Sequence, residues 1–192
     1  MPVGYADLHL HTTASDGTQT IPELVRRAKE LSFSAIAVTD HDTISPDLHR
    51  PVDRIDGVEV ITGIEIKTEF DGIRGELLAY FVDPSSKRLR RFLTRMADAR
   101  RVRMEKMVER CREETGVPIE MTEVRALAER SLGRPHLARI LVEKEIVRDK
   151  DEAFSTLIGD DKPCYVPIEK APFREVVETI HAADGVCSLA HP

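Results

Sequence analysis

The feature that most constrains the fold of this chain is a short apolar strand that ends in two histidines, His9 and His11. Side chains two residues apart on a strand point to the same face, so both imidazoles can reach one metal ion. A carboxylate, Asp16, follows five residues later, and the next apolar run (35–39) leads into Asp40-His41-Asp42. We therefore expect a fold that gathers the ends of neighbouring strands around a polynuclear metal site.

The first part of the chain alternates between strand and helix patterns. Apolar runs predict strands over 4–11, 35–39, 58–66 and 76–82, and helical spacing predicts a helix over 21–31, preceded by Thr20 as its N-cap. The order strand, helix, strand predicts βα units with right-handed crossovers. The candidate ligands follow the strands, as they do in barrel-like α/β enzymes, whose sites lie at the C-terminal ends of the strands.

The middle of the chain carries only helical patterns. We predict a long helix from 85 to about 115 and shorter helices over 122–131, 134–146 and 150–158, followed by a helix over 173–183 and a strand over 186–191. This pattern predicts two parts. Residues 1–84 and 165–192 form an α/β barrel part, and residues 85–164 form a helical insertion that caps the site.

Composition excludes several classes of protein. The 41% apolar and 32% charged content is typical of a soluble globular chain, and no apolar stretch is long enough for a membrane span or a signal peptide. The cysteines Cys111, Cys164 and Cys187 are far apart and outside any CxxC motif, which argues against a disulfide framework or a thiolate zinc site. We expect a cytoplasmic protein, with no membrane association and no stable protein partner implied.

The candidate ligands are all nitrogen and oxygen donors. His9, His11 and Glu65 form one plausible set, Asp16 and His41 a second, and His191 is a further candidate. Such donors suit Mn, Fe, Zn or Mg without choosing between them. Bridged ions of this kind support hydrolysis, because they lower the pKa of a water molecule and neutralise charge on a phosphoryl group. The sequence offers no convincing serine–histidine or cysteine–histidine set for covalent catalysis.

Four motifs resemble one known family in order along the whole chain. DLHLHTTASDGT, VTDHDT, GIEI and the terminal SLAHP are similar to the polymerase and histidinol phosphatase (PHP) family of metal-dependent phosphoesterases. GRPHLA and GDDKPCYVP resemble one branch of it, the nucleoside 3′,5′-bisphosphate phosphatases that also act as 5′-to-3′ exonucleases on short RNA or DNA. The resemblance implies a distorted (β/α)7 TIM-like barrel, incomplete in this chain, with a site for two or three divalent ions.

The resemblance also implies a role for each matched residue. A metal-bridged hydroxide would attack a phosphate monoester of a nucleotide or the 5′ end of a short oligonucleotide. Arg134 and His136 match positions that resemble substrate-phosphate contacts; the alternative is an arginine at a helix start and an ordinary capping histidine. The metal ligands would be His9, His11 and Glu65 for the first ion, Glu65 as a bridge and His191 for the second, and Asp16 and His41 for the third.

Two positions depart from the family pattern. Glu76, in GELLAYFVD, stands where this branch usually has a histidine, and a glutamate can also bind a hard cation. The chain stops at Pro192, before the C-terminal Asp-x-His of the family. We therefore expect a fragment of a longer protein, and we expect the incomplete barrel to bind metal weakly and to be nearly inactive.

Two further interpretations stay open at this point. Residues 87–112 contain eleven lysines and arginines against three acidic residues, although the chain carries a net charge of −6. This basic helix is either a solvated helix face or a surface that steers a phosphate-rich substrate. The alternatives to a nucleotide phosphatase are a phosphatase of the histidinol phosphatase type and a non-catalytic PHP module that binds metal or phosphate.

Overall fold

The structure is a computed structural model of the 192-residue chain, and it describes residues 4–128, 130–168 and 170–191. The chain divides into two compact units, one formed by Met1–Met96 with Lys170–Pro192 and the other by Ala97–Glu169. The domain boundaries expected from the sequence, with an insertion over 85–164, stay a prediction.

The elements follow one another along the chain in a mixed order of strands and helices. They are β1 (Tyr5–Leu10), α1 (Ile21–Glu30), β2 (Phe33–Val38), β3 (Val52–Ile55), β4 (Val58–Phe70), β5 (Ile73–Tyr80), α2 (Lys87–Thr115), α3 (Met121–Ala126), α4 (Arg134–Glu143), α5 (Lys150–Ala153), a π-helical turn (Phe154–Ile158), β6 (Ala171–Pro172), α6 (Phe173–His181) and β7 (Val186–Leu189).

The first unit contains one mixed sheet. Its strand order is β1-β2-β4-β5-β7, and β3 and β6 also pair with β4. Strands β1, β2 and β4 are parallel, whereas β5 is antiparallel to both β4 and β7. The expected α/β class is confirmed, and parallel β1 and β2 joined through α1 form the expected βα unit.

Two tight hairpins depart from the predicted elements. Strands β4 and β5 are joined by Asp71-Gly72, whose φ angles of 49° and 79° are those of a type I′ turn. The prediction that these strands cover only 58–66 and 76–82 is therefore wrong, because both extend to the turn. A second Asp-Gly turn, Asp56-Gly57, joins β4 to the short strand β3, which the sequence analysis did not predict.

Two apolar clusters hold the first unit together. One lies under α1, where Leu24 and Val25 pack with Ile36 of β2 and Val60 of β4. Helix α1 begins where Thr20 and Glu23 form a capping box, in which both the backbone N–H and the hydroxyl of Thr20 donate to the Glu23 carboxylate at 2.8 Å. The other cluster joins β4 and β5 to α6 and the start of α2.

The second unit is helical and has its own core. This core contains Met104 and Met107 of α2 together with Leu137 and Leu141 of α4. The predicted helix over 122–131 ends at Ala126, and Glu129 lies outside the described residues. The predicted helix over 134–146 ends at Glu143, and the one over 150–158 changes from α to π geometry after Ala153.

None of the helices in the described part of the chain combines the length and the apolar character that a membrane span needs.

Substitution of Gly63 in β4 tests how closely the strands approach one another. A Cβ atom there would lie 2.6 Å from the Ala79 carbonyl oxygen and 2.8 Å from Cγ2 of Thr39. We expect Gly63→Ala to lower the free energy of unfolding by about 1–3 kcal/mol, because the backbone of a central strand cannot move away. Urea denaturation measures this, with Gly75→Ala as the control, since a Cβ at Gly75 has no neighbour within 4 Å. Equal losses in the two variants would contradict the prediction.

Candidate metal centre

The carboxylate of Glu65 lies at the centre of the candidate site. Glu65 is 1% exposed, and its Oε1 lies 3.3 Å from Nε2 of His9 and 3.3 Å from Nε2 of His191. Its Oε2 lies 3.3 Å from Nε2 of His11 and 3.0 Å from Nδ1 of His41. The expectation that Glu65 ends a strand is wrong, because β4 continues through the hairpin to Phe70. One buried carboxylate thus contacts four histidines.

Asp16 forms a second group with two of these histidines. Its carboxylate oxygens lie 3.9 Å from Nδ1 of His11 and 3.6 Å from Nε2 of His41. The rings of His11 and His41 are stacked with centroids 4.5 Å apart, and the Nε2 atoms of His9 and His11 are 3.2 Å apart. The two groups are therefore continuous, with His11 and His41 between Asp16 and Glu65.

The parallel register of β2 and β4 places His41 beside Glu65. Beyond the end of β2, the Glu65 N–H donates to the Asp40 carbonyl at 3.2 Å, and the Asp42 N–H donates to the Glu65 carbonyl at 2.9 Å. His41 lies between these two bonds and forms a β-bridge with Glu65. Asp42, immediately after it, has a φ of 50°, a left-handed conformation that is costly for a residue other than glycine.

Asp40 holds the loop that carries Asp16. Its fully buried carboxylate accepts bonds from the Thr12 N–H at 2.7 Å, the Thr12 hydroxyl at 2.6 Å and the Ser15 hydroxyl at 2.6 Å. Three donors to one carboxylate restrict the loop to a single conformation. In the sequence Asp40 is only one member of the Asp40-His41-Asp42 motif, and in the structure it positions the loop that carries Asp16.

Glu76 lies on β5, and His191 lies two residues beyond the end of β7, the strand next to β5. The backbone after β7 stays paired with β5 through the bond from the Ala190 N–H to the Glu76 carbonyl at 2.9 Å. Nε2 of His191 lies 3.8 Å from Oε2 of Glu76, and His191 has a φ of 47°. The other Glu76 oxygen is 2.5 Å from Nζ of Lys67. Pro192, the last residue of the SLAHP motif, lies outside the described residues.

Tyr80 adds a contact that sequence reasoning missed. Its hydroxyl donates to the carbonyl of Leu8, next to His9, at 3.0 Å. Burial and the nearby Glu65 charge raise the pKa of Tyr80, so the phenol keeps its proton for this bond. Strand β5 thereby supports the strand that carries the two histidines.

The charges in the centre favour the ionised carboxylate of Glu65 and the protonated imidazole of His11. Burial alone would raise the pKa of Glu65, but the hydrogen bond from His11 and the nearby imidazoles hold this pKa below its ordinary value. Burial opposes the protonation of His11, yet its hydrogen bond with Glu65 and the charge of Asp16 raise its pKa overall. The buried carboxylate therefore requires cations around it.

The donor set fits divalent metal ions. Three groups place their ligand atoms within 4.8 Å of one another: His9–Glu65–His191, His11–Asp16–His41 and His41–Glu65–Glu76. Oε1 of Glu65 and Nδ1 of His11 are buried and have no hydrogen-bond partner within the described residues. Buried polar atoms of this kind are ordinarily satisfied, and a metal ion would satisfy both. Imidazole and carboxylate donors are suited to Zn, Fe and Mn.

Arg134 and His136 lie in the second unit, at the start of helix α4. Arg134 pairs with Asp160 at 2.7 Å, and its guanidinium lies 5.3 Å from the ring centroid of Phe154 and 5.5 Å from that of Tyr165. His136 is buried, and its Nδ1 accepts the N–H of Gly133 at 3.0 Å. The ring of His136 therefore caps the helix start.

Two arginines of α2 that were expected only as part of a basic helix are buried beside Arg134. Arg100 is 5% exposed and donates to the Leu132 carbonyl at 3.1 Å; Arg103 is 9% exposed and donates to the Val166 carbonyl at 2.6 Å. Burial first, and the Arg134 charge second, lower the pKa of Arg103 to about 10. The sequence carried a signal for this, because Arg100 and Arg103 share the helical spacing of the apolar stripe that includes Met104.

Comparison with known proteins identifies the class. The chain is 34% identical over 187 residues to a 5′-3′ exoribonuclease of Haemophilus influenzae, covering 97% of this chain and 68% of that protein. It is 25% identical over 198 residues to a 3′,5′-nucleoside bisphosphate phosphatase of Chromobacterium violaceum, covering 97% and 66%. The chain thus spans about two thirds of the length of these relatives. They place it among the metal-dependent phosphoester hydrolases.

The fold agrees with this class. A solved structure from Bifidobacterium adolescentis, provisionally named a metal-dependent phosphoesterase, superimposes with a TM-score of 0.86 at 30% identity and covers 99% of this chain and 68% of its own. The PHP domain family matches residues 7–183. The chain belongs to the PHP domain family, and the expected family and TIM-like barrel fold are confirmed.

Asp40 offers a test of how the loop is held. We expect Asp40→Asn to lower the free energy of unfolding by about 1–3 kcal/mol, because the amide group cannot accept all three bonds and leaves a buried donor unsatisfied. Denaturation in the presence of a chelator measures this without metal. Asp47→Asn, at an exposed position outside the loop, is the control and should change stability little. An Asp40→Asn variant as stable as that control would show that the three bonds do not hold the loop.

Proposed function

We propose that the protein hydrolyses phosphate monoesters of nucleotides, in particular 3′,5′-bisphosphonucleosides, and removes nucleotides from the 5′ ends of short oligonucleotides. The observation that carries the proposal is the buried Glu65 carboxylate surrounded by four histidines, with Asp16 beside them. The similarity to an exoribonuclease and to a bisphosphate phosphatase supports the choice of nucleotide substrates.

The centre is proposed to hold two or three divalent ions, drawn from Mn, Fe, Zn and Mg. The proposed ligands are the members of the three groups described above, namely His9, His11, Asp16, His41, Glu65, Glu76 and His191. Glu65 belongs to two of these groups. Divalent ions, when bound, lower the pKa of water and neutralise the charge of a phosphoryl group. Since the relatives are hydrolases, this is the chemistry that the site is proposed to use.

In the proposed mechanism, the residues of the protein position the metal ligands and the substrate phosphate. Glu65 and Asp16 supply negative charge at fixed places, because β4 and the loop held by Asp40 are both rigidly bonded. His9 lies on β1 and His11 immediately follows it, and Tyr80 of β5 supports β1 through its bond to the Leu8 carbonyl. A substrate phosphate bound here would be oriented without reorganisation of the ligands, which is the main contribution that a protein makes in phosphoryl transfer.

Arg134 and His136 are proposed to bind a phosphate of the substrate. The support is the clustering of Arg134 with the buried Arg100 and Arg103, whose mutual repulsion an anion would relieve. The helical region, expected as an insertion over 85–164, would then serve substrate selection.

A cytoplasmic location is also proposed. The support comes from the cysteines, since Cys111 and Cys164 are free, buried thiols in the second unit. Burial raises the pKa of both thiols, which keeps them protonated and inert.

Phosphate release in the presence of Mn²⁺ tests the proposal directly. We expect this chain to release phosphate at a low rate from 3′,5′-bisphosphoadenosine and from a short 5′-phosphorylated RNA, and much more slowly still from histidinol phosphate. Glu65→Gln should reduce kcat at least about 10²-fold, because it removes the charge at the centre of the ligand set. Faster release from histidinol phosphate would favour the histidinol phosphatase type. Bound metal without turnover of any substrate would favour a non-catalytic module.

A substitution at Arg134 tests the proposed phosphate contact. We expect Arg134→Gln to raise KM for 3′,5′-bisphosphoadenosine about tenfold with a smaller effect on kcat, since a charged hydrogen bond contributes about 1.5–3 kcal/mol. Arg139→Gln is the matched control, because Arg139 lies on the same helix and pairs with the exposed Glu143 at 2.8 Å. Equal KM values for the two variants would contradict a substrate contact at Arg134.

A further inference from the structure

We propose that Lys67 competes with a metal ion for Glu76, so that the position formed by His41, Glu65 and Glu76 binds a divalent ion more weakly than the other two positions. The inference rests on the proposed function only in assuming that this centre binds metal. It assigns a role to Lys67, a residue that neither the motifs nor the ligand set included.

The β4–β5 register places Lys67 on the metal-binding face of the sheet. Lys67 lies directly opposite Glu76 in the ladder, and directly opposite residues point to the same face. Glu65 precedes Lys67 by two residues on β4, so its side chain also points to that face. The ammonium and the central carboxylate therefore share one side of the hairpin.

The contact between Lys67 and Glu76 is close and partly shielded from solvent. Nζ of Lys67 lies 2.5 Å from Oε1 of Glu76, and the side chains are 32% and 22% exposed. A charge-assisted bond of this kind neutralises the Glu76 carboxylate, on which the position formed by His41, Glu65 and Glu76 depends. The Lys67 ammonium thus supplies to Glu76 part of the positive charge that a bound metal ion would otherwise supply.

The same carboxylate is within reach of the metal position. Glu76 belongs to the group with His41 and Glu65, whose ligand atoms lie within 4.8 Å of one another, and its Oε2 lies 3.8 Å from His191. An ion bound there would lie beside the Lys67 ammonium, and like charges about 4 Å apart repel strongly in a partly buried site. Binding would therefore require Lys67 to move away from Glu76.

The other two positions lack such a competitor. Within the described part of the chain, the ion pairs of Asp16 and Glu65 are all with histidines, which as neutral imidazoles are themselves ligands. Among the described residues, metal binding to the carboxylates of Asp16 and Glu65 therefore displaces neither a lysine nor an arginine from them. Among the carboxylates of the centre, Glu76 thus differs from Asp16 and Glu65, because its ion pairs include one with a lysine.

Calorimetric titration of the chelator-treated protein with Mn²⁺, together with elemental analysis after dialysis at fixed free Mn²⁺, tests this. We expect the wild type to bind its weakest ion at least about tenfold less tightly than the others. Lys67→Met should tighten that ion about tenfold, and Lys67→Arg should leave it weak. Lys144→Met is the matched control, since Lys144 pairs with Glu123 at 2.8 Å in the helical unit, and it should change nothing.

Substitution of Glu76 tests the same idea from the other partner. Glu76→Gln should abolish the weak ion and leave the tight ones, and the double variant Lys67→Met/Glu76→Gln should lose the gain seen in Lys67→Met alone. Thermal unfolding of each variant shows whether it is folded, and Lys67→Gln replaces Lys67→Met if the latter is not.

Several results would overturn the inference. The inference fails if the wild type binds all its ions with equal affinity, or if removal of the Lys67 charge does not tighten the weakest ion. It also fails if Glu76→Gln loses a tightly bound ion, or if neither the wild type nor Lys67→Met binds Mn²⁺. Because every readout is metal binding, a protein without phosphatase activity would refute the proposed function and leave this inference standing.

Discussion

The burial of one ionised carboxylate, Glu65, is the constraint on which the rest of the centre depends. A carboxylate that is 1% exposed is costly unless cationic or hydrogen-bonding groups surround it. Those groups come from β1 and the residue after it, from the segment that follows β2 and from the segment that follows β7, so the sheet must hold all three in register around β4. The hydrogen bonds that continue past the end of β2, and the contact of Tyr80 with β1, are the means by which the backbone does this.

The hairpin formed by β4 and β5 determines which side chains lie opposite one another in the centre. The Asp71-Gly72 turn sets the register, and the register sets which side chains lie opposite one another. Lys67 and Glu76 meet for this reason alone. The same hairpin carries Glu65 in the interior of a strand, where bonds on both sides keep its backbone still. Ligands in strand interiors are more precisely placed than ligands in free loops.

The second unit contains a contrasting electrostatic arrangement. Where the first unit buries negative charge among histidines, this unit buries Arg100 and Arg103 beside Arg134 with Asp160 as the acidic partner of Arg134. The carbonyl oxygens of Leu132 and Val166 accept hydrogen bonds from the guanidinium groups of Arg100 and Arg103. Positive charge that is retained in a buried place is a reason to look for an anionic ligand, and the substrate class proposed for this family member is anionic.

The sequence by itself determined the parts of this protein that are local. The alternation of a strand fixes that His9 and His11 face one way, the capping residues fix where α1 begins, and the motifs identify the family. The two Asp-Gly pairs are also local signals, and they mark the turns of the β3–β4 and β4–β5 hairpins, which were not predicted. Only the tertiary structure decided that Glu65 is central, that Asp40 holds the Asp16 loop and that Lys67 faces Glu76. Each of these depends on strand register or burial between residues distant in sequence, and the pattern of any one segment does not contain that information.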